Sequence, residues 1–298
     1  MKAGGGFPPP IPSIISCIYI FVFHISILRR MDKMDTIIIR GGGDLASGIA
    51  YKLYEAGYRV IILEIDKPLA VRRAVSFCEA VYEGEVTVEG IRGMLAKDIK
   101  DIYKILEKGS IPVYIDGKGE IIKKIKPLAV VDAIIAKKNL GTNRNMAPIT
   151  IGVGPGFEAG VDVDAVIESN RGPNLGRVFY KGRAEENTGL PAPVMGYAKE
   201  RVLRASTSGI VRPLCQIGDL VKKGDVVCQV GDEKVIAEIN GVLRGMIREG
   251  LEVDKGLKIG DIDPRCIREL AFTISDKARK IGDGVLETLE YLRLKKEA

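Results

Sequence analysis

The chain has 298 residues, 46% hydrophobic and 28% charged, with a net charge of +6, the composition of an ordinary globular protein long enough for two domains or more. Acids and bases alternate, no long basic block occurs and there is no Trp, which sets nucleic acid aside as a partner. His24 is the only histidine and precedes the globular part, so Ser-His-Asp, Cys-His and His-ligated metal chemistry are excluded there. Catalysis in that part would run on carboxylates, Lys, Arg, Tyr, Cys or a bound cofactor.

Residues 11–28, IPSIISCIYIFVFHISIL, carry no charge over 18 positions, the short end of what spans a bilayer. Arg29 and Arg30 follow, so a single-pass anchor would leave the rest of the chain in the cytoplasm. No small-residue cleavage site follows, which argues against a secretory signal. The alternative is an upstream extension, with the working protein starting at Met31 or Met34. Residues 1–33 are therefore read as an apolar extension or an anchor, and a membrane partner depends on residues 11–28.

Residues 34–145 read as a Rossmann-like nucleotide-binding domain. Thr36 to Arg40 is a β-branched strand, and Gly41, Gly43 and Ala46 fall on the G-x-G-x-x-G/A spacing, with Gly42 between. Gly41 permits the tight turn, Gly43 lets backbone N–H groups approach a pyrophosphate, and Ala46 lets the helix from Asp44 to Ala56 pack on the strands. Tyr58 to Ile65 supplies a second strand, and Glu64 stands where such folds place an acid for ribose hydroxyls, favouring an NAD-like ligand. Asp44 fits least well: it brings negative charge near the expected phosphate, offset in part by Arg40, or it simply favours the positive end of its helix. Residues 71–93 continue the doubly wound unit, Ala96 to Glu107 reads as a helix, and Pro112 to Asp116 and Pro127 to Ala136 read as buried strands. A parallel sheet of four or five strands is expected.

Residues 146–204 are glycine-rich, with Gly152, Gly154, Gly156 and Gly160, then Gly172 and Gly176 among Arg171, Arg177 and Arg183. Gly154, Gly156, Arg171 and Arg177 suit a loop that wraps an anionic ligand. Asp162, Asp164 and Glu168 would share one strand face, a set able to hold Mg²⁺ but more often solvated, and no metal site is assigned. Five cysteines without CxxC spacing point to a reducing compartment and against zinc. Cys215 and Cys228 read as core. Cys78 follows Arg72 and Arg73, whose charges would lower its pKa, making it a weak candidate for sulfur or selenium relay beside the reading of a buried structural thiol.

Residues 205–263 contain a repeat at an offset of 32: Gly209, Gly218 and Gly224 recur as Gly241, Gly250 and Gly256. The repeat implies a small β-sandwich that resembles the biotinyl/lipoyl carrier fold. Its hairpin QVGDEKVIAE carries Lys234 without a Met-Lys-Met setting, so no lipoyl or biotin is expected there. Residues 264–298 are read as a C-terminal helix, with one amphipathic stripe from Ile267 to Leu292 packing back on the sheet.

The segments RGGGDLASG, RRAVSFCEAVYEGEVTVEG, GVGPGFEAGVDVDAVIESNRG with LGR, YAKERVLRAS and FTISDKARKIG, in this order over residues 34–290, resemble the YqeB family. Its members are accessory proteins of selenium-dependent molybdenum hydroxylase systems, distantly similar to the XdhC group. The resemblance implies a maturation role, with a molybdenum hydroxylase and its maturation proteins as partners. It also implies a nucleotide-type cofactor, NAD-like or a molybdopterin nucleotide. Pro173 stands where the family's RG-x-NLGR loop commonly has His. An NAD-dependent oxidoreductase and a membrane-tethered scaffold are the other readings.

Overall fold

A computed structural model describes residues 35–187 and 189–297. Residues 1–33, read as extension or anchor, lie outside them. Among the described residues no helix is long and apolar enough to cross a membrane.

Nine strands form one mixed sheet: β1 (Thr36–Arg40), β2 (Arg59–Glu64), β3 (Glu85–Val88), β4 (Ile91–Ala96), β5 (Ile111–Ile115), β6 (Ala129–Asp132), β7 (Ile149–Val153), β8 (Ala165–Ile167) and β9 (Val178–Phe179). Their spatial order is β3-β4-β5-β2-β1-β6-β7-β8-β9. Every pair from β4 to β8 is parallel, and only the edge strands β3 and β9 run antiparallel to their neighbours. The sheet thus exceeds the four or five strands expected, because β7, β8 and β9 of the glycine-rich region extend it. Glycines masked the pattern: Gly152 is itself a strand residue, with the Phe157 ring where a Cβ would stand, 2.5 Å away.

Both faces of the sheet are covered at its centre, which is why β1, β2, β6 and β7 are buried at nearly every position. Helix α1 (Asp44–Glu55) and helix α3 (Asp276–Glu297) lie on one face, against Ile37, Ile39 and Ile62. Helix α2 (Ile99–Glu107) covers Ile38, Ile61 and Val130 on the other. From β1 the chain builds β2, β4 and β5 to one side, then returns to place β6 on the other side of β1. Crossovers therefore diverge between β1 and β6, a topological switch point that leaves a crevice beyond the carboxyl ends of these strands.

Two boundaries differ from expectation for identifiable reasons. Asp98 accepts a 2.8 Å bond from the Asp101 N–H, so α2 starts at Ile99, and Ala96 ends a strand instead of opening the helix. The hairpin from β3 to β4 turns at Glu89 and Gly90, both at positive φ, the geometry that matches strand twist. The C-terminal stripe is also broken: Arg268–Ala271 is a separate turn, and α3 begins after Ser275, whose Oγ accepts from the Ala278 N–H at 3.1 Å. Ala278, Ile281, Val285 and Leu289 of α3 are fully buried. Gly48 of α1 and Gly282 of α3 let the two helices touch; a Cβ on Gly48 would lie 2.6 Å from that of Ala278. Fully burying Ile281, Val285 and Leu289 contributes roughly 1.5–3 kcal/mol apiece.

The remaining strands are β10 (Val202–Arg204), β11 (Gly209–Pro213), β12 (Leu220–Val221), β13 (Val226–Val230), β14 (Glu233–Ile236), β15 (Gly241–Met246), β16 (Glu252–Val253) and β17 (Lys258–Asp263). They form two four-stranded antiparallel sheets, β10-β17-β15-β12 and β14-β13-β11-β16, around one core with Val211, Val227, Leu243 and Ile259. The offset of 32 maps β11, β12 and β13 onto β15, β16 and β17. Each half lends its short strand to the other, since β12 pairs with β15 and β16 with β11. Cys228 is buried in this core, whereas Cys215 is half-buried at its margin. Lys234 is exposed within β14 opposite Gln229, past the Gly231–Asp232 turn.

Candidate functional site

A cleft of about 500 Å³ opens beyond the carboxyl ends of β1, β2, β5 and β6. The glycine turn forms one wall. Gly41 takes φ +94°, and a Cβ there would stand 3.0 Å from the Ala133 carbonyl, so only glycine fits between β1 and the chain leaving β6. Gly42 packs against Cys78, whose N–H donates to the Gly42 carbonyl at 2.9 Å. Gly43 differs from both: its φ of −70° is ordinary, and no atom lies within 4 Å of where its Cβ would be. It precedes α1 as the N-cap and brings no side-chain cap, so first-turn N–H groups are left beside the cleft without intrahelical partners. Ala46 is buried under the turn, as its packing role requires.

Glu64 ends β2 and folds back over the turn. Its Oε1 accepts from the Gly42 N–H at 2.7 Å and its Oε2 from the Ile65 N–H at 2.9 Å. Burial raises its pKa, and these two N–H bonds pull the other way. The carboxylate thus already occupies the anion-seeking N–H at the centre of the glycine turn. Asp44 is neutralised by Arg72, at 3.0 Å, and not by Arg40. Arg72 is itself buried and also donates to the Leu270 and Thr273 carbonyls at 3.0 and 2.8 Å. Sequence reasoning placed Arg72 beside Cys78; the guanidinium instead secures the negative charge at the start of α1.

Arg40 lines the cleft and is held at the switch point by a buried ion pair. Arg40 at the end of β1 and Asp132 at the end of β6 are each 2% exposed and stand 3.5 Å apart. Thr142 joins them, accepting from Arg40 and donating to Asp132 Oδ2 at 2.5 Å, while Arg40 also donates to the Gly117 carbonyl at 3.0 Å. Asp132 and Thr142 carried no signal in the sequence beyond the strand end they adjoin. The rim is apolar, with Leu45, Ile65, Leu69, Ile134 and Leu140 around the opening, and Ile65, Leu69 and Leu140 are each nearly half exposed.

Cys78 lines the cleft but is not a thiolate. Burial, with the Glu64 and Glu79 carboxylates behind it, pushes the thiol well above its ordinary value, and Arg73 offsets little of this. Arg73 is instead bound to the Met246 carbonyl at 2.8 Å and lies 3.6 Å from Glu79. The expected relay chemistry at Cys78 therefore lacks its activating charge.

The glycine and arginine loop is not part of this cleft. Gly154 at φ +80° and Gly156 at φ +108° are filled by their neighbours, since a Cβ would lie 2.5 Å from Ser169 Oγ and 2.7 Å from Lys138 Cα. Arg171 makes a two-pronged pair with Asp276 at 2.6 and 2.7 Å, and Arg177 lies over the Phe179 ring at 5.3 Å. The carboxylates of Asp162, Asp164 and Glu168 serve separate turns: the first accepts from Glu158 N–H, the second from Thr150, the third from Asn170 and Glu185 N–H. No group of three or more His, Cys, Asp or Glu side chains placed to hold a metal occurs among the described residues.

These features define a mixed α/β protein with a half-apolar cleft at the switch point of its sheet. The chain is 51% identical over 256 residues to the uncharacterized protein YqeB of Escherichia coli (strain K12), covering 86% of this chain and 47% of that protein. The chain belongs to the YqeB family, and spans about half the length of that relative. No family profile matches it. Solved structures give only faint likenesses. An aspartoacylase family protein from Mesorhizobium loti is 13% identical over 77% of this chain and 85% of that one, with a TM-score of 0.25. The ectoine utilization protein EutE (DoeB) from Ruegeria pomeroyi is 11% identical over 76% and 85%, with a TM-score of 0.22.

Proposed function

We propose that the cleft binds a nucleotide-bearing cofactor, and that the protein handles this ligand as an accessory factor maturing a selenium-dependent molybdenum hydroxylase in the cytoplasm. The observation that carries the binding reading is Gly43: open space over an uncapped helix start, next to an apolar rim, at a switch point. Such a site favours a flat ring against Leu45, Leu69 and Ile134 and phosphate oxygens at the first turn of α1. The strand order β5-β2-β1-β6-β7-β8 supports a Rossmann-like reading of the large sheet. The exchanged strands of the repeat support a lipoyl-like reading of the small one, with Lys234 unmodified. Glu64 and Arg72 accommodate the negative ligand differently. Arg72 cancels Asp44, while Glu64 must yield the Gly42 N–H before a phosphate can take it. The maturation role itself rests on the resemblance of the sequence motifs to the family.

Isothermal titration of ADP, NADH and a molybdopterin nucleotide into the full chain tests the binding. At least one should bind, and Gly43→Leu, which meets no protein atom at its Cβ, should weaken it about tenfold or more, equivalent to about 1.4 kcal/mol. Binding by none of the three would sink the reading. Sustained NADH oxidation with a metabolite would make the protein an oxidoreductase instead.

A further inference from the structure

A second hollow, of about 270 Å³, lies beside the cleft, and Ile135 lines both. Several parts of the chain meet there: the segment after β6 with Lys137, the segment after β8 with Ser169 and Arg171, the segment after β9 with Glu185 and Glu186, Arg201 just before β10, Lys258 of β17, and the first turn of α3 with Lys277. Five cationic side chains thus face two carboxylates, Glu185 and Glu186, across the lining. Most of the cations have protein partners. Arg171 is held by Asp276, and Arg201 and Lys258 share Asp261 at 2.6 and 3.4 Å. Lys137 meets the Asn187 side-chain oxygen at 3.1 Å once that amide is oriented to suit its neighbours. Glu185 is bound by Asn170 and Asn174.

Lys277 is the exception. Among the described residues its side chain has no hydrogen bond or ion pair, although it stands in the first turn of α3, where the helix dipole disfavours a cation. Burial, and after it the charge of Arg171, holds its amine below the ordinary lysine range. A position so unfavourable for an ammonium group becomes favourable when a dense anion is placed next to it. The backbone beside it is strained in the same sense: Ile135 and Lys137 adopt φ +59° and +63°, and for β-branched Ile135 that is a rare conformation that clusters at functional sites. Arg171 uses two N–H groups on Asp276 and keeps others for a second acceptor.

We propose that this hollow is a phosphate-binding site, with Lys277 as the contact that supplies the ion pair and Arg171 as a second donor. The inference does not depend on the cleft binding a nucleotide, and inorganic phosphate alone is the probe. The full chain is labelled with limiting trinitrobenzenesulfonate in phosphate or in chloride at matched ionic strength, and modification is read at each lysine by mass spectrometry. Phosphate should slow labelling of Lys277 about fivefold or more and leave exposed Lys234 unchanged; equal slowing of both, or of neither, overturns the proposal. Equilibrium dialysis with labelled phosphate gives the second measurement. Lys277→Met should weaken binding about tenfold while Lys234→Met does not. Undiminished binding by Lys277→Met, or none by the unaltered chain, overturns it.

Discussion

The two glycine clusters of this chain look alike in composition and differ at one position, Gly43. At residues 41–43 the turn lies at a strand end next to a cleft, and the space over Gly43 is empty. At residues 152–156 the same residue type fills gaps in a packed sheet, with Phe157, Ser169 and Lys138 pressed where side chains would be. Glycine marks a place where something comes close. Whether that is a ligand or the protein's own chain depends on what the fold brings there.

The comparison can be broken by substitution. The largest effect is expected beneath the first cluster: Asp132→Leu leaves Arg40 buried without its carboxylate, and urea unfolding should lose about 3–5 kcal/mol. Next comes the second cluster. Gly156→Ala combines a positive φ with a 2.7 Å clash against backbone, so a loss of about 2–4 kcal/mol is expected, whereas Gly43→Ala should lose about 1 kcal/mol or less. If Gly43→Ala proved as damaging as Gly156→Ala, the contrast between the clusters would collapse.

Smaller effects come from two carboxylates that respond to pH with opposite signs. Asp276 is held down to about 2 by its bond with Arg171. Its folded value lies below the unfolded one, so its contribution is present above about pH 4 and lost as pH falls toward 2. Asp276→Asn should flatten acid unfolding in that window and cost a small amount at neutral pH, small because so exposed a pair is screened by solvent. Glu64 is raised by burial, so its contribution is full below its unfolded value and declines as pH rises through the folded one. Comparing Glu64→Gln with the parent chain at pH 4.5 and 7 should show that decline removed. The smallest expected signal is chemical: iodoacetamide at pH 7.5 should modify exposed Cys266 and spare Cys78 in the folded chain.

The sequence made the β1–α1–β2 unit legible because its signals are local: β-branched runs, a glycine turn and a helix stop at Gly57. The repeat was legible for the same reason, its strands recurring at one offset. What the sequence hid is set by distant partners. Arg72 pairs with Asp44 across 28 positions, and Arg171 with Asp276 across 105. No spacing rule separates an arginine that waits for a ligand from one already taken. The C-terminal stripe misled for a related reason: Ile267 and Leu270 keep helical spacing with Ile274, yet Ser275 caps a helix that starts after them.

The pairing of α1 with α3 has a consequence for the order of synthesis. Gly48 emerges early and Ala278, which must rest on it, more than two hundred residues later, with both small sheets translated between. Until then the sheet face made by Ile37, Ile39 and Ile62 has α1 but not its second cover. The nascent chain must therefore carry an exposed apolar surface for most of its time on the ribosome, a state in which holding chaperones would find their substrate.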